Sequence, residues 1–243
     1  MSVSSGPKAV SEGLILSIDA ANPKSYSGSG TTVSNMTSLS VGCTLVNGPG
    51  FSTDGVGSWT FDGSNDYISI DNSSRQFQWT PSGAGNNTLC FELWIKSSDT
   101  GGYYVSKPWN GNGEYNYYMY NTGFQFGNGS GNVARSAASV STGNWEHVVY
   151  VITPTQSAVY RNGLIDPAAG FSNHGLTVNT PTNGDFNNTI PLAIMTLYPY
   201  GSWAGNTGFS IQGNVGMLKV YNRLLSAAEI LQSYRSTKSR FRV

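Results

Sequence analysis

Charge is what this chain has least of. Lys, Arg, Asp and Glu together make up 11% of the residues, against about a quarter in an ordinary soluble domain. Thirteen basic and thirteen acidic side chains cancel to zero formal charge, so no global positive field draws the chain to nucleic acid. Cysteine is almost as scarce. Cys43 and Cys90 stand alone, which excludes a disulfide scaffold and any zinc-type spacing. One bridge between them and two buried free thiols both stay open. No apolar run approaches the ~18 residues of a membrane span, and the N-terminus has no apolar signal core. Synthesis in the cytosol without such a leader is the expectation. His147 and His174 are the only histidines, and no Gly-x-Ser-x-Gly elbow occurs, so a nucleophilic triad has no footing.

Gly, Ser, Asn and Thr supply the polarity instead. Hydroxyl, amide and Tyr tips keep a surface wet without ions, and they suit neutral, hydroxyl-rich partners or neighbouring subunits. With 243 residues, one large β-domain can remove roughly 70–75% of its unfolded surface from water. No metal or bridge is then needed to hold the fold.

Short apolar or alternating runs between turn residues predict strands. They cover Gly13–Ile18, Ser58–Phe61, Tyr67–Ile70, Thr88–Lys96, Gly102–Ser106, Tyr115–Tyr120, Gly123–Phe126, Trp145–Thr153, Ser157–Arg161, Pro191–Leu197 and Val215–Tyr221. In Thr88–Lys96, Phe91, Leu93 and Ile95 share one face while Glu92, Trp94 and Lys96 share the other. Trp145–Thr153 is apolar on both faces beyond His147, as a mid-sheet strand would be, and His147 reads as a core or interface histidine. Asn162-Gly163 offers the two φ > 0 residues of a type I′ hairpin. One helix is predicted over Ala227–Tyr234: Ser226 and Glu229 form a capping box, with Leu225 and Ile230 placed as a hydrophobic staple. The Gly/Pro/Ser-rich stretches at Tyr26–Thr32, Asn47–Gly57, Pro81–Asn87 and Thr180–Asn188 read as loops inside a single domain.

Six segments in order carry a family likeness. They are Gly13–Pro23 (GLILSIDAANP), Phe61–Tyr67 (FDGSNDY), Phe91–Lys96 (FELWIK), Gly143–Val149 (GNWEHVV), Val159–Gly163 (VYRNG) and Gly213–Ile230 (GNVGMLKVYNRLLSAAEI). Together they resemble the concanavalin A-like lectin/glucanase superfamily, in its laminin-G-like jelly-roll branch, over nearly the whole chain. Arg161 stands where that hairpin more often has Val or Asn. The opening GLILSIDAANPKSYSGSG and the ending LLSAAEILQSYRSTKSRF are also similar to domains of tailed-bacteriophage structural proteins, notably of marine and cyanobacterial hosts. The resemblance implies an all-β jelly-roll sandwich of two antiparallel sheets, with binding at loops or on a sheet face, often to glycans and sometimes through calcium. It also implies a virion protein made in the host cytoplasm and exposed on the particle surface.

The expected organisation is an N-terminal arm (1–12), one jelly-roll domain (13–234) and a basic C-terminal tail (235–243). Catalysis is not expected, because the Glu-x-Asp-x-x-Glu pattern of the enzyme branch is absent and no strand carries acids at i, i+2 and i+4. Asp62 and Asp66 are the best carboxylate pair; Glu92 and Glu146 each sit alone. Asp62, Asn65 and Asp66 could hold calcium, joined by Asp19 or Asp185, or could simply stabilise their turn; no cofactor is required. Two aromatic clusters are candidate glycan or partner surfaces: Trp109, Tyr115 and Tyr117 with their Asn-rich neighbours, and Tyr198, Tyr200 and Trp203. Arg235, Lys238, Arg240 and Arg242 form the candidate attachment tail. The functional expectation is a non-enzymatic capsid-decoration or tail-appendage subunit with glycan recognition for host adhesion. Its partners would be other virion proteins, host surface polysaccharide and further copies of itself, with no nucleic acid and no membrane span. A free lectin-like module and a glycoside hydrolase of the glucanase branch are the alternatives.

Overall fold

Period-two alternation buries only half of each strand, so every sheet needs a second layer against its apolar face. The computed structural model describes residues 9–79, 87–99, 101–108, 115–120, 123–127, 132–136, 142–168, 170, 172–173, 189–197 and 209–243, and within them two stacked antiparallel sheets meet this need. Sheet I holds β1 (Leu14–Asp19), β4 (Gly50–Ser52), β5 (Ser58–Asp62), β7 (Leu89–Lys96), β12 (Trp145–Ile152), β13 (Gln156–Arg161), β14 (Leu164–Ile165), β15 (Ser172–Asn173) and β17 (Gln212–Tyr221). Its order is β14-β13-β12-β7-β17-β5-β4, with β1 also on β17 and β15 also on β13. Sheet II holds β2 (Thr32–Ser34), β3 (Gly42–Val46), β6 (Tyr67–Ile70), β8 (Tyr103–Pro108), β9 (Tyr115–Tyr120), β10 (Gly123–Gly127), β11 (Asn132–Ser136) and β16 (Leu192–Ile194). Its order is β11-β10-β9-β8-β16-β6-β3-β2. This is the expected sandwich. The expected strands are all present with small shifts at their ends, while β2, β3, β4, β11, β14 and β15, all short, lacked a readable alternation.

Between the sheets lies the main core. Trp59, Phe91, Leu93, Ile95, Tyr150 and Leu218 from sheet I meet Ile68, Ile70, Val105, Met119, Leu192 and Ile194 from sheet II. The β13–β14 hairpin turns at Asn162 (φ 50°) and Gly163 (φ 81°), the two positive φ values that a type I′ turn requires. Glu146 secures that hairpin, accepting hydrogen bonds from Arg161 Nη2 (3.0 Å) and Asn162 Nδ2 (2.8 Å).

The outer face of sheet I is not solvated. Helix α1 (Ala227–Phe241) lies on it, capped as predicted: Ser226 Oγ accepts the Glu229 N–H and Glu229 Oε2 accepts the Ser226 N–H. The Arg223 guanidinium, hydrogen bonded to Glu229, holds that carboxyl down at about 2. Leu225 and Ile230 pack together with Cys90, Val149, Val151, Tyr160 and Tyr221.

The helix corrects one expectation. It does not stop at Tyr234, and residues 235–241 are not a free basic tail. Tertiary contacts extend it past what the Ser/Thr-rich sequence suggests. Phe241 stacks on Trp94 at 4.2 Å and packs on Trp145 at 4.8 Å. Gly216, at the β17 bulge, leaves room for this ring, since a Cβ there would sit 2.5 Å from Phe241 Cε1. Arg240 grips Asp19 through Nη1 (2.7 and 2.8 Å) and donates to the carbonyls of Gly55, Gly57 and Gly216. Arg235, Lys238 and Arg242 remain exposed on the helix and its last turn.

Between the two apolar clusters under α1 sits a buried carboxylate. Glu92 of β7 is fully buried. It accepts hydrogen bonds from Lys219 Nζ (3.1 Å), Tyr221 OH (3.2 Å) and Ser233 Oγ (2.5 Å), and His147 Nε2 lies 3.3 Å away. Burial alone pushes this carboxyl up, but the Lys219 ammonium, with His147 and Ser233, outweighs it and holds Glu92 well below the usual range. His147 is thus the interface histidine that the strand pattern suggested.

Cys43 faces the main core from β3 and Cys90 faces α1 from β7; both are free and buried. They belong to different sheets and different apolar clusters, and burial pushes both thiols up to about 12. An Ellman titration should therefore find no reactive thiol in the native protein and two in denaturant; fewer than two in denaturant would mean a bridge. Phe241→Ala should cost about 3 kcal/mol in urea unfolding, the usual loss for a buried ring. Glu92→Gln leaves Lys219 buried beside a neutral amide and should cost on the order of 3 kcal/mol at pH 7. Because folding lowers the Glu92 pKa, its contribution is full above the ordinary Glu value of about 4.3 and drains away as pH falls below it. Unfolding curves at pH 7, 4 and 3 should show a flatter acid limb for the variant than for the parent.

Candidate functional site

Beyond Phe241 the outer face of sheet I continues with no cover among the described residues. Ile95, Val215 and Trp59 point into the main core, so their strand neighbours Lys96, Asn214 and Thr60 point outward. Register places these three side by side, with Trp145 next to Lys96 on the other flank. One step further, Gln212 pairs with Asp62. An open trough of about 360 Å³ runs over this surface, lined by Thr60, Lys96, Ser97, Ser98, Gln212 and Asn214 among others.

Its walls are fixed by backbone contacts. Ser97 Oγ donates to the Gln212 carbonyl (2.6 Å) and accepts the Asp99 N–H, while Asp99 Oδ2 accepts the Gln212 N–H (3.1 Å). Gly213 permits this close approach, because a Cβ there would lie 2.5 Å from the Lys96 carbonyl oxygen. At the other end Lys96 Nζ meets Asp54 Oδ2 at 2.8 Å, and Trp145 Nε1 donates to Asp54 Oδ1 at 3.1 Å. The hydrogen bond from Lys96 is the main cause that holds the Asp54 carboxyl below its ordinary value.

The trough has polar capacity left unused. Asn214 Nδ2 donates to Ser58 Oγ, but its Oδ1, the side-chain amide of Gln212 and the hydroxyls of Thr60 and Ser98 have no partner among the described residues. A second hollow of about 380 Å³ along β2 and β3 also carries such hydroxyls, on Thr32, Ser34, Ser40 and Thr44, but its side-chain amide is spent. There Asn35 binds β1 and its own loop, accepting from Ser17 and Thr37 and donating to Ile15, Thr37 and Leu39.

The predicted site residues fare unevenly. Trp109, Tyr198, Tyr200 and Trp203 lie outside the described residues, as do His174 and Asp185, and Tyr115 is described only as part of β9. Tyr117 is not a contact surface: its ring packs on Phe91 in the core and its hydroxyl donates to the Phe77 carbonyl (2.7 Å). Asp62, Asn65 and Asp66 form a turn. Asp62 Oδ1 accepts the Ser64 N–H, Asp66 Oδ2 accepts the Asp62 N–H, and the Asn65 carbonyl accepts Asn47 Nδ2. Burial and then the Asp62 charge raise the Asp66 carboxyl. Among the described residues no group of three or more His, Cys, Asp and Glu side chains could hold a metal ion. The trough itself escaped notice in the sequence, since Thr60 and Gln212 lie outside the family segments, Asn214 stands in the last of them with no marked role, and the three converge only through strand register.

Solved structures of similar fold include a Trypanosoma rangeli sialidase in complex with 2,3-difluorosialic acid (TM-score 0.64, 16% identity), matched over 97% of this chain and 35% of that one. They also include the binding domain of Paraclostridial Mosquitocidal Protein 1 (TM-score 0.61, 12% identity; 92% of this chain, 52% of that one). A third is Domain 4 of AbnA, a GH43 extracellular arabinanase from Geobacillus stearothermophilus, in complex with arabinotriose (TM-score 0.54, 14% identity; 91% and 98%). The chain thus spans about a third of the sialidase. No curated protein sequence matches. These likenesses correct the expectation that catalysis is excluded. Chains of glycosidases contain this fold, and the missing Glu-x-Asp-x-x-Glu pattern argues only against one branch's chemistry. The sequence match agrees with the architecture: residues 62–231, well over half of the chain, fit the family described as "Concanavalin A-like lectin/glucanases superfamily", and the chain belongs to it.

Proposed function

We propose that this protein binds glycans, and that the trough on sheet I holds the sugar. The observation that carries the reading is the set of unspent polar groups there: Gln212, Asn214 Oδ1, Thr60 and Ser98 converge from two strands and a loop on one open surface. Amides and hydroxyls in this arrangement exchange bonds to water for bonds to sugar hydroxyls with little reordering, because β5, β7 and β17 hold them in place. Membership of a lectin/glucanase superfamily supports the reading, as does an arabinanase domain of this fold solved with arabinotriose.

The setting belongs to the same proposal. Similarity of the opening and closing segments to bacteriophage structural proteins favours a particle-borne module that recognises host surface polysaccharide, packed against other virion proteins or further copies of itself. Immunogold labelling of purified particles addresses that part.

Calorimetric titration with neutral oligosaccharides, beginning with arabinotriose, tests the binding site. Gln212→Ala combined with Asn214→Ala should weaken binding about tenfold, the loss of one or two hydrogen bonds. Affinity that survives the double substitution would move the site elsewhere on the fold. A titration in EDTA shows whether calcium takes part.

A further inference from the structure

The charges around the trough narrow its ligand further. A site for a carboxylated sugar needs a cation free to meet the carboxylate, most often an Arg with its planar fork. Among the described residues that line the trough Lys96 is the one cation, and its ammonium is already matched by Asp54 at 2.8 Å. Arg240, near the same end of α1, is spent on Asp19 and on three backbone carbonyls. Two further carboxylates flank Gln212, the residue with the most exposed amide of the lining. Asp62 is its cross-strand partner, and Asp99 accepts its backbone N–H. The field of Asp62 is felt locally, since its charge contributes to the raised Asp66 carboxyl.

We infer that the trough selects uncharged sugars and rejects carboxylated ones, with Asp62 and Asp99 as the residues that set this preference. The inference rests on the reading of the trough as a glycan site and adds to it the class of ligand. A neutral sugar lays hydroxyls against Gln212, Asn214, Thr60 and Ser98 and meets only dipoles. A uronate or sialate in the same place brings a negative charge toward Asp62 and Asp99 with no unmatched cation to offset it. Such like-charge juxtaposition lowers both encounter rate and affinity, and being exposed, it weakens with salt.

The test pairs each neutral oligosaccharide on an array with its carboxylated counterpart, for example galactose and galacturonate oligomers of equal length. Hits are then titrated by calorimetry at about 50 mM and about 500 mM salt, where the screening length falls severalfold. The neutral member should bind at least roughly tenfold more tightly at low salt. That ratio should shrink at high salt and shrink again in Asp62→Asn/Asp99→Asn, whose amide oxygens can still accept the Ser64 N–H and one of the two backbone N–H groups, of Gly101 and Gln212, that Asp99 binds. Equal or tighter binding of the carboxylated member overturns the inference while leaving glycan binding intact. So does a ratio that ignores both salt and the double substitution. Failure of every glycan on the array, neutral and acidic alike, overturns the glycan reading together with this one.

Discussion

The arrangement of this molecule follows from one buried carboxylate. Glu92 sits in the middle of sheet I on the face away from the main core, where an isolated charge would cost several kcal/mol. Its stabilisation requires donors from β17 (Lys219 and Tyr221), an imidazole from β12 (His147) and a hydroxyl from α1 (Ser233). Apart from β17 and α1, which follow one another, these segments are far apart in sequence. The polar cluster therefore fixes the position of the helix along the sheet, which the apolar patches on either side of it could not do alone. Apolar contacts at Leu225 and Ile230 hold one end of α1, and Phe241 with Arg240 holds the other.

Where the helix stops, the sheet changes character. Under α1 every polar atom of the Glu92 cluster but His147 Nδ1 has a partner, and Glu92 and His147 are fully buried. Past Phe241 the same strands present amides and hydroxyls to solvent. One face of one sheet is thus divided into a sealed half that holds the structure and an open half with groups to spare. The Lys96–Asp54 pair marks the border and is tied to the sealed side through Trp145.

The sequence reveals the sandwich because alternation over β7, β12 and β17 is long and the hairpin and capping signals are local. It reveals far less of what lies across the sheet. Alternation puts Glu92, Trp94 and Lys96 on the second face of β7 but cannot say whether another layer covers it; the helix that does so lies more than a hundred residues later in the chain. The length of α1 was underestimated for a related reason. Ser236, Thr237 and Ser239 are weak helix formers, and what holds them helical is Trp94 Nε1 donating to Thr237 Oγ1 and the Phe241 stack, both tertiary. Tyr117 illustrates the reverse error, for a Tyr-rich strand looks like a binding surface until its register assigns one face to the core. Thr60 on β5 and Gln212 and Asn214 on β17 are ordinary residues, and only pairing between the two strands makes them a surface.

The place of β17 in sheet I bears on how the protein is made. This strand is flanked by β7 along most of its length and by β5 and β1 on its other side, so it is the middle of the sheet although it follows the other strands in chain order. A growing chain on the ribosome must carry β1, β5 and β7 with an unfilled gap between them until β17 emerges. During that interval the Val/Ile/Leu-rich edges of β1 and β7 offer open backbone to any neighbouring strand, the situation in which polypeptides pair wrongly or aggregate. Premature termination before Gln212 would thus be expected to yield insoluble material rather than a smaller folded sandwich.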